Sequence, residues 1–134
     1  MNQDDVGSTP TPAAKFMMKR KKIKVSDIEL EANELGYKLS LEPKFKYAWI
    51  YGVPRGGIPA AFALSANMNH YGCRTVLVDS PQIADIIVDE LIDSGKTKEE
   101  FEKKFPEIPF YALFTKTAKE KENKVWYVFP WEEK

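Results

Sequence analysis

The sequence predicts an α/β fold, a mostly parallel twisted sheet with helices on both faces. Three observations predict it. The runs Tyr47–Tyr51 and Asp85–Val88 are short and rich in β-branched and aromatic residues, as buried strands are. Each run passes through a polar, glycine-bearing loop into a helical pattern. Before both lies an amphipathic segment with Ile28, Ala32, Leu35 and Leu39 on one face at helical spacing.

The chain has 134 residues, which sets one domain as the prior. A chain of this size buries about two-thirds of its unfolded surface, enough for a core without staples. Lys plus Arg and Asp plus Glu number 20 each, so the global field draws neither nucleic acid nor an acidic membrane. A single cysteine, Cys73, excludes an internal disulfide framework and fits a reducing compartment. No apolar run approaches a membrane span, and the N-terminus lacks a signal-peptide core. The expectation is a soluble cytoplasmic protein.

Residues 1–14, with Gly7, Ser8, Thr9, Pro10, Thr11 and Pro12, cannot bury a core and read as a disordered polar tail; 15–134 read as one domain. The basic run Lys19–Lys22 would suit RNA or phosphate, but with zero net charge it reads better as a solvated edge. Ile23–Val25 is at most a short edge strand. Ser26 and Glu29 have capping-box spacing, starting a helix that runs to about Leu39; Pro43 bars its extension.

Tyr47–Tyr51 reads as a buried strand, and Gly52-Val53-Pro54-Arg55-Gly56-Gly57 follows it, then a helix from Pro59 to Asn69. Gly56 and Gly57 would let backbone amides approach an oxyanion, with the Arg55 charge beside them. His70 falls in the last helical turn, where interaction with the dipole is its plain role. With no second histidine, and Cys73 forming no ligand cluster, a zinc site is not expected. Arg74–Val78 is another strand. Only Asp79–Ala84 separates it from the next, too short for a crossover helix, so a simple turn or bend is expected.

The stretch Ile86–Thr97 organises the rest. An apolar run reaches the adjacent carboxylates Asp89 and Glu90, then Leu91, Ile92, the carboxylate Asp93, and the loop Ser94-Gly95-Lys96-Thr97. Carboxylates at a strand's carboxyl end can take hydroxyls or a metal, and the amino end of the helix beyond, Lys98 to about Lys104, can take a phosphate. A Walker A loop is excluded, because Glu90 stands where its first glycine is required. Beyond Pro106, Phe110–Phe114 reads as a fully buried strand, Lys119–Lys124 as a charged turn and Val125–Phe129 as the last strand, closed by Pro130, Trp131 and Glu132.

The Asp89–Thr97 pattern resembles the phosphoribosyl pyrophosphate (PRPP) motif of type I phosphoribosyltransferases, which have a Rossmann-like core. From Lys22 onward the pieces follow the order of one subfamily, the bacterial xanthine–guanine phosphoribosyltransferases. The Trp126-x-x-x-Pro130-Trp131-Glu132 ending is its most telling mark. The resemblance implies transfer of a phosphoribosyl group from PRPP to a 6-oxopurine with release of pyrophosphate. It implies Mg²⁺ as cofactor, PRPP and a purine base or nucleotide as partners, and a homo-dimer or homo-tetramer.

It also implies roles. Arg55, Gly56 and Gly57 would hold the leaving pyrophosphate. Asp89 and Glu90 would take the ribose hydroxyls, Asp89 also meeting Mg²⁺ through water. Ser94, Gly95, Lys96 and Thr97 would cradle the 5′-phosphate. Asp93 would accept a proton at the purine N7. Lys116 would meet the exocyclic oxygen, Trp126 would stack on the ring, and the Tyr127 carbonyl would read its edge.

Three departures stand against full activity. Six residues, Asp79–Ala84, replace the family's long closing loop; Val128 stands where the family has an acidic residue; and Lys134 ends short of the family's final segment. The rival function is a non-catalytic PRPP- or purine-nucleotide-binding regulator that lacks the lid. A third, RNA binding through the tail and Lys19–Lys22, has only the basic run behind it.

Overall fold

The computed structural model describes residues 19–132; the expected polar tail lies outside them. In order, the elements are β1 (Arg20–Lys22), α1 (Val25–Ser40), β2 (Tyr47–Gly52), α2 (Gly57–His70), β3 (Arg74–Val78), β4 (Ile86–Ile92), α3 (Lys96–Lys104), β5 (Phe110–Thr115), α4 (Ala118–Glu122) and β6 (Trp126–Val128). Single 3₁₀ turns stand at Pro43–Phe45, Pro81–Ile83 and Pro130–Glu132. The main sheet runs β3-β2-β4-β5, with every pairing parallel. A separate parallel ladder joins β1 to β6. Among the described residues no helix is long and apolar enough to cross a membrane.

The α/β expectation holds, with helices on both faces. On one face Ile50, Ile86 and Val88 pack against Leu64 and Met68 of α2, with Ala32 and Leu39 of α1 in the same cluster. On the other, Ile87 and Phe110 pack with Val53 and Ala84, and Phe101 of α3 joins them. Ile86, Ile87 and Val88 are fully buried, each such side chain being worth about 1.5–3 kcal/mol.

Several local readings change. The first strand is Arg20–Lys22, not Ile23–Val25: Ile23 is a buried core residue just beyond the ladder, its N–H donating to Val128 O at 2.8 Å. Helix α1 starts at Val25, because the Asp27 carboxylate accepts the Lys24 N–H at 2.8 Å, two residues ahead of the expected Ser26–Glu29 box. Strand β2 alternates rather than lying wholly inside: Ala48 and Ile50 are buried while Tyr47 and Trp49 are 67% and 45% exposed, since among the described residues no helix covers that end of the second face. Strand β5 is likewise only partly buried, Phe110 and Leu113 being its inward residues. The expected charged turn is a short helix, α4, capped by Thr117, whose hydroxyl accepts the Glu120 N–H at 3.1 Å.

The link from β3 to β4 is not a simple turn. The two strands are not neighbours; both pair parallel with β2. The chain must therefore return from the carboxyl end of β3 to the amino end of β4 across β2. Crossing one intervening strand spans only about 10 Å, which seven residues cover without an α-helix even with the Pro81–Ile83 turn among them. Asp85 anchors the far end, its N–H donating to Trp49 O and its carboxylate accepting the Trp49 N–H, each at 2.7 Å. Ala84 is buried against Val53 and Ile87, so the link itself covers part of the second face.

Candidate functional site

The chain leaves β2 toward β3 on one side and β4 toward β5 on the other, so the topological switch point lies between β2 and β4. In open α/β sheets that crevice, at the carboxyl ends of the strands, is where ligands bind. The loops 53–56 and 93–95 flank it.

The two sides are in contact. The Val53 N–H donates to Val88 O at 2.9 Å. A Cβ at Gly57 would meet Val88 O at 2.8 Å and Asp89 Cα at 3.3 Å, so only glycine lets the loop pack this close to β4. The Gly57 N–H donates to Val53 O at 2.7 Å, closing the turn; the residue gives the loop room, and its amide is spent inside it. The Pro54–Arg55 peptide is cis, and Arg55 is exposed at the loop's tip.

Asp89 and Glu90 lie within β4, not after it. Strand β5 runs beside them as far as Thr115 and supplies ladder partners, Asp89 facing Ala112 and Leu91 facing Phe114. Successive residues of a strand point to opposite faces, so the two carboxylates leave β4 in different directions. Both are partly buried. Burial pushes the Asp89 carboxyl up to about 6, against the pull of the Glu90 N–H, which donates to Asp89 Oδ1 at 2.7 Å. Burial, then the Asp89 and Glu132 charges, push Glu90 up to about 8, while the Trp131 indole N–H draws it back.

Past β4, Gly95 caps α3 at φ +87°, a left-handed conformation that favours glycine, and no neighbour lies within 4 Å of where its Cβ would be. The helix begins at Lys96, two residues earlier than expected, with the Lys96 N–H donating to Ser94 Oγ at 3.3 Å. The amides of its first turn, around Thr97, face the positive end of the dipole outward.

Asp93 and Lys116 stand at the ends of the neighbouring strands β4 and β5, and the Lys116 N–H donates to Ile92 O at 3.0 Å. Lys116 Nζ lies 3.0 Å from Asp93 Oδ2, 6.0 Å from the centre of the Trp126 ring and 5.7 Å from that of Tyr127. The three residues expected to meet a base are therefore together. In the β1–β6 ladder Trp126 N–H bonds Lys19 O and Val128 O accepts from Ile23 N–H. Parallel ladders alternate, so the Tyr127 carbonyl faces away from β1. The Tyr127 hydroxyl donates to Glu120 at 2.7 Å, and Lys21 Nζ reaches the same carboxylate at 3.1 Å. This network binds β1, α4 and β6 into one unit around Lys116.

Sequence reasoning gave no role to Trp131, Glu132 or Glu120. Trp131 and Glu132 were visible as an aromatic–acidic ending, but no spacing rule ties them to Glu90, 41 positions away for Trp131. Among the described residues no cluster of three or more His, Cys, Asp and Glu is placed to hold a metal ion. His70 is exposed against the Tyr71 ring, and Cys73 is buried, which raises its thiol.

No family model matches the chain, and no curated protein does. Solved structures do. A hypothetical protein from Neisseria gonorrhoeae with bound ppGpp superposes with a TM-score of 0.60 at 16% identity, covering 87% of this chain and 91% of that one. The Helicobacter pylori xanthine-guanine-hypoxanthine phosphoribosyltransferase gives 0.55 at 20% identity, covering 84% and 93%. At these identities the likeness establishes the fold alone: a mostly parallel α/β architecture shared with both structures.

Proposed function

We propose that the protein is a purine phosphoribosyltransferase acting on PRPP and a 6-oxopurine. The observation that carries the reading is the convergence of Asp93, Lys116 and Trp126 at 3.0 and 6.0 Å beside a strand-to-helix phosphate cradle. A pure phosphate binder needs none of the three.

In this reading the ribose C1′–oxygen bond to pyrophosphate breaks and a bond from C1′ to a purine nitrogen forms. Arg55 and the Gly56 side of its loop receive the pyrophosphate, whose charge grows as it leaves. Ser94 to Thr97 hold the 5′-phosphate at the amino end of α3. Lys116 donates to the exocyclic oxygen and Trp126 offers a face to the ring. Asp93, 53% exposed, is free to turn from Lys116 and accept the proton that the base loses.

The donor set fits a magnesium ion only in part. Asp89 is a partly buried carboxylate with a raised pKa and no cationic partner among the described residues, a setting that a divalent ion would relieve. It supplies too few ligands alone, so the ion would take the rest from water and the diphosphate. Bound there, it would neutralise charge on the leaving group.

A second reading has its own observation. The β3–β4 link is a short crossover tied to β2 by Asp85, so this link itself offers no long segment to close over a bound sugar. Closure excludes water from a reacting centre. Its absence favours a regulator that binds a purine nucleotide without turning it over, and the neighbour solved with ppGpp supports that class of ligand.

Turnover with PRPP and guanine, xanthine or hypoxanthine decides between them, measured beside Asp93→Asn and Arg55→Ala. The transferase reading expects nucleotide formation with some competing PRPP hydrolysis. Absent turnover, together with GMP binding that Lys116→Ala removes, would make the regulator reading the correct one.

A further inference from the structure

Parallel sheets are covered on both faces in nearly every fold that uses them. Here the second face is bare at one corner. Tyr47 and Trp49 of β2 pair with Arg74 and Val76 of β3, and ladder partners point to the same face. Ile83 stands two residues before Asp85, which is bonded to Trp49. Tyr47, Trp49, Val76 and Ile83 are 67%, 45%, 52% and 49% exposed. Together they make an apolar patch of roughly a few hundred Å², the scale of a functional surface. The β3 edge beside it is partly closed. The Arg74 N–H points to β2, so the Thr75 N–H points outward, where Asn69 Oδ1 accepts it at 3.1 Å. The face, rather than the edge, is open for docking.

We propose that this corner packs on the same corner of a second copy of the chain, across a twofold axis that runs along β2. The charges around it argue for a copy. Exposed Arg74 lies on the β3 side of β2, and exposed Asp85 lies on the β4 side, its carboxylate on the Trp49 N–H. A half-turn about an axis along β2 exchanges those two sides. Arg74 of each copy then comes over the Asp85 side of the other, so the surface complements itself. With 20 basic and 20 acidic residues, the copies do not repel each other. The composition also fits, since Tyr and Trp are enriched at the centres of interfaces. Asp85 fixes the Trp49 backbone at both its N–H and its carbonyl, so the ring is presented on a rigid strand. The patch is smaller than the roughly 800 Å² per partner of a standard interface, so the dimer is concentration-dependent. The inference is independent of the transferase reading.

The test is sedimentation of the full chain from micromolar to hundreds of micromolar, beside nuclear magnetic resonance of the indole N–H groups. The chain has three tryptophans, and the resonance absent from Trp49→Phe identifies Trp49. The expected result is a monomer–dimer equilibrium in which the Trp49 resonance moves as concentration rises. Val76→Lys, a change at an exposed strand position, should weaken the dimer by at least about tenfold, as loss of a central contact does. Salt should loosen the wild-type dimer. Arg74→Glu should weaken it and remove that loosening, because an acid then faces Asp85. A wild-type chain that stays monomeric at hundreds of micromolar overturns the proposal, whether residues 1–18 or a different protein covers the corner. A dimer that forms with the Trp49 resonance unmoved, or that survives both Val76→Lys and Arg74→Glu at full strength, uses another surface and also overturns it.

Discussion

Lys116 and Asp93 form an ion pair of opposite exposure: the lysine side chain is 5% exposed, the aspartate 53%, and Nζ sits 3.0 Å from Oδ2. The lysine is the costly member, since a buried charge needs a partner while an exposed one does not. Asp93→Asn should therefore destabilise the protein by about 1–3 kcal/mol, the cost of leaving a buried charged donor poorly paired. Lys116→Met should cost less, because an apolar chain of similar length fills the site and leaves only a solvated carboxylate. Thermal melts of the two variants check the order. GMP binding should fall with Lys116→Met by at least about tenfold, as for a lost hydrogen bond to a charged group. A Lys116→Met protein that binds GMP normally would remove Lys116 from the base site.

Gly95 gives a cleaner test of the phosphate cradle. Its φ of +87° disfavours any side chain, yet nothing crowds the place where a Cβ would point. Gly95→Ala should cost about 1 kcal/mol through the backbone alone. If the α3 amides hold a phosphate, ribose 5-phosphate and GMP should lose affinity together, while pyrophosphate binding at the other loop stays unchanged. Equal loss of all three would mean that the substitution disturbs the whole switch point.

Much of this arrangement was legible in the sequence where a local rule governs it. The strand-loop-helix units at 47–69 and 86–104 and the stretch from Asp89 to Thr97 follow from hydrophobic period and glycine placement. What failed were features set by neighbours. Whether β4 stops at Val88 or runs to Ile92 depends on β5 beside it, and a charge in a strand carries no local mark of that pairing. The crossing of β2 by residues 79–85 follows from strand order, which a link this short cannot reveal. The contact of Glu90 with Gly56 joins two distant segments and has no sequence signal at all.

Tyr127 and Glu120 make a prediction about the ladder around the base site. The Tyr127 hydroxyl, partly shielded, donates to Glu120 at 2.7 Å. Tyr127→Phe should cost about 1 kcal/mol, a typical net hydrogen bond. The loss should appear as faster amide exchange in β1 and β6, with the main sheet unaffected. Uniform acceleration over both sheets would show that the ladder does not open separately.

The last prediction concerns pH, and the carboxylates of the molecule pull in opposite directions. Glu120 is held down to about 2, first by the Thr117 N–H and then by the Tyr127 hydroxyl. A depressed carboxylate stabilises the fold above its unfolded value near 4.5, and that stability is lost as pH falls toward 2. Asp89 and Glu90 are pushed up, to about 6 and about 8. The folded state then binds more protons than the unfolded one between roughly pH 4 and 8, so their contribution is full below pH 4 and declines as pH rises. The groups facing Glu90 are Asp89, Glu132 and the Trp131 N–H, and the two acids reinforce the shift. Without ligand, the melting temperature should therefore peak near about pH 5 and fall toward pH 8. Millimolar Mg²⁺ should flatten the fall, because a cation beside the carboxylates favours their ionised form. Glu90→Gln should flatten it without Mg²⁺. Melts from pH 3 to 9, with and without the ion, separate these effects. A wild-type profile that rises steadily to pH 8 would mean that Asp89 and Glu90 ionise freely in the folded protein.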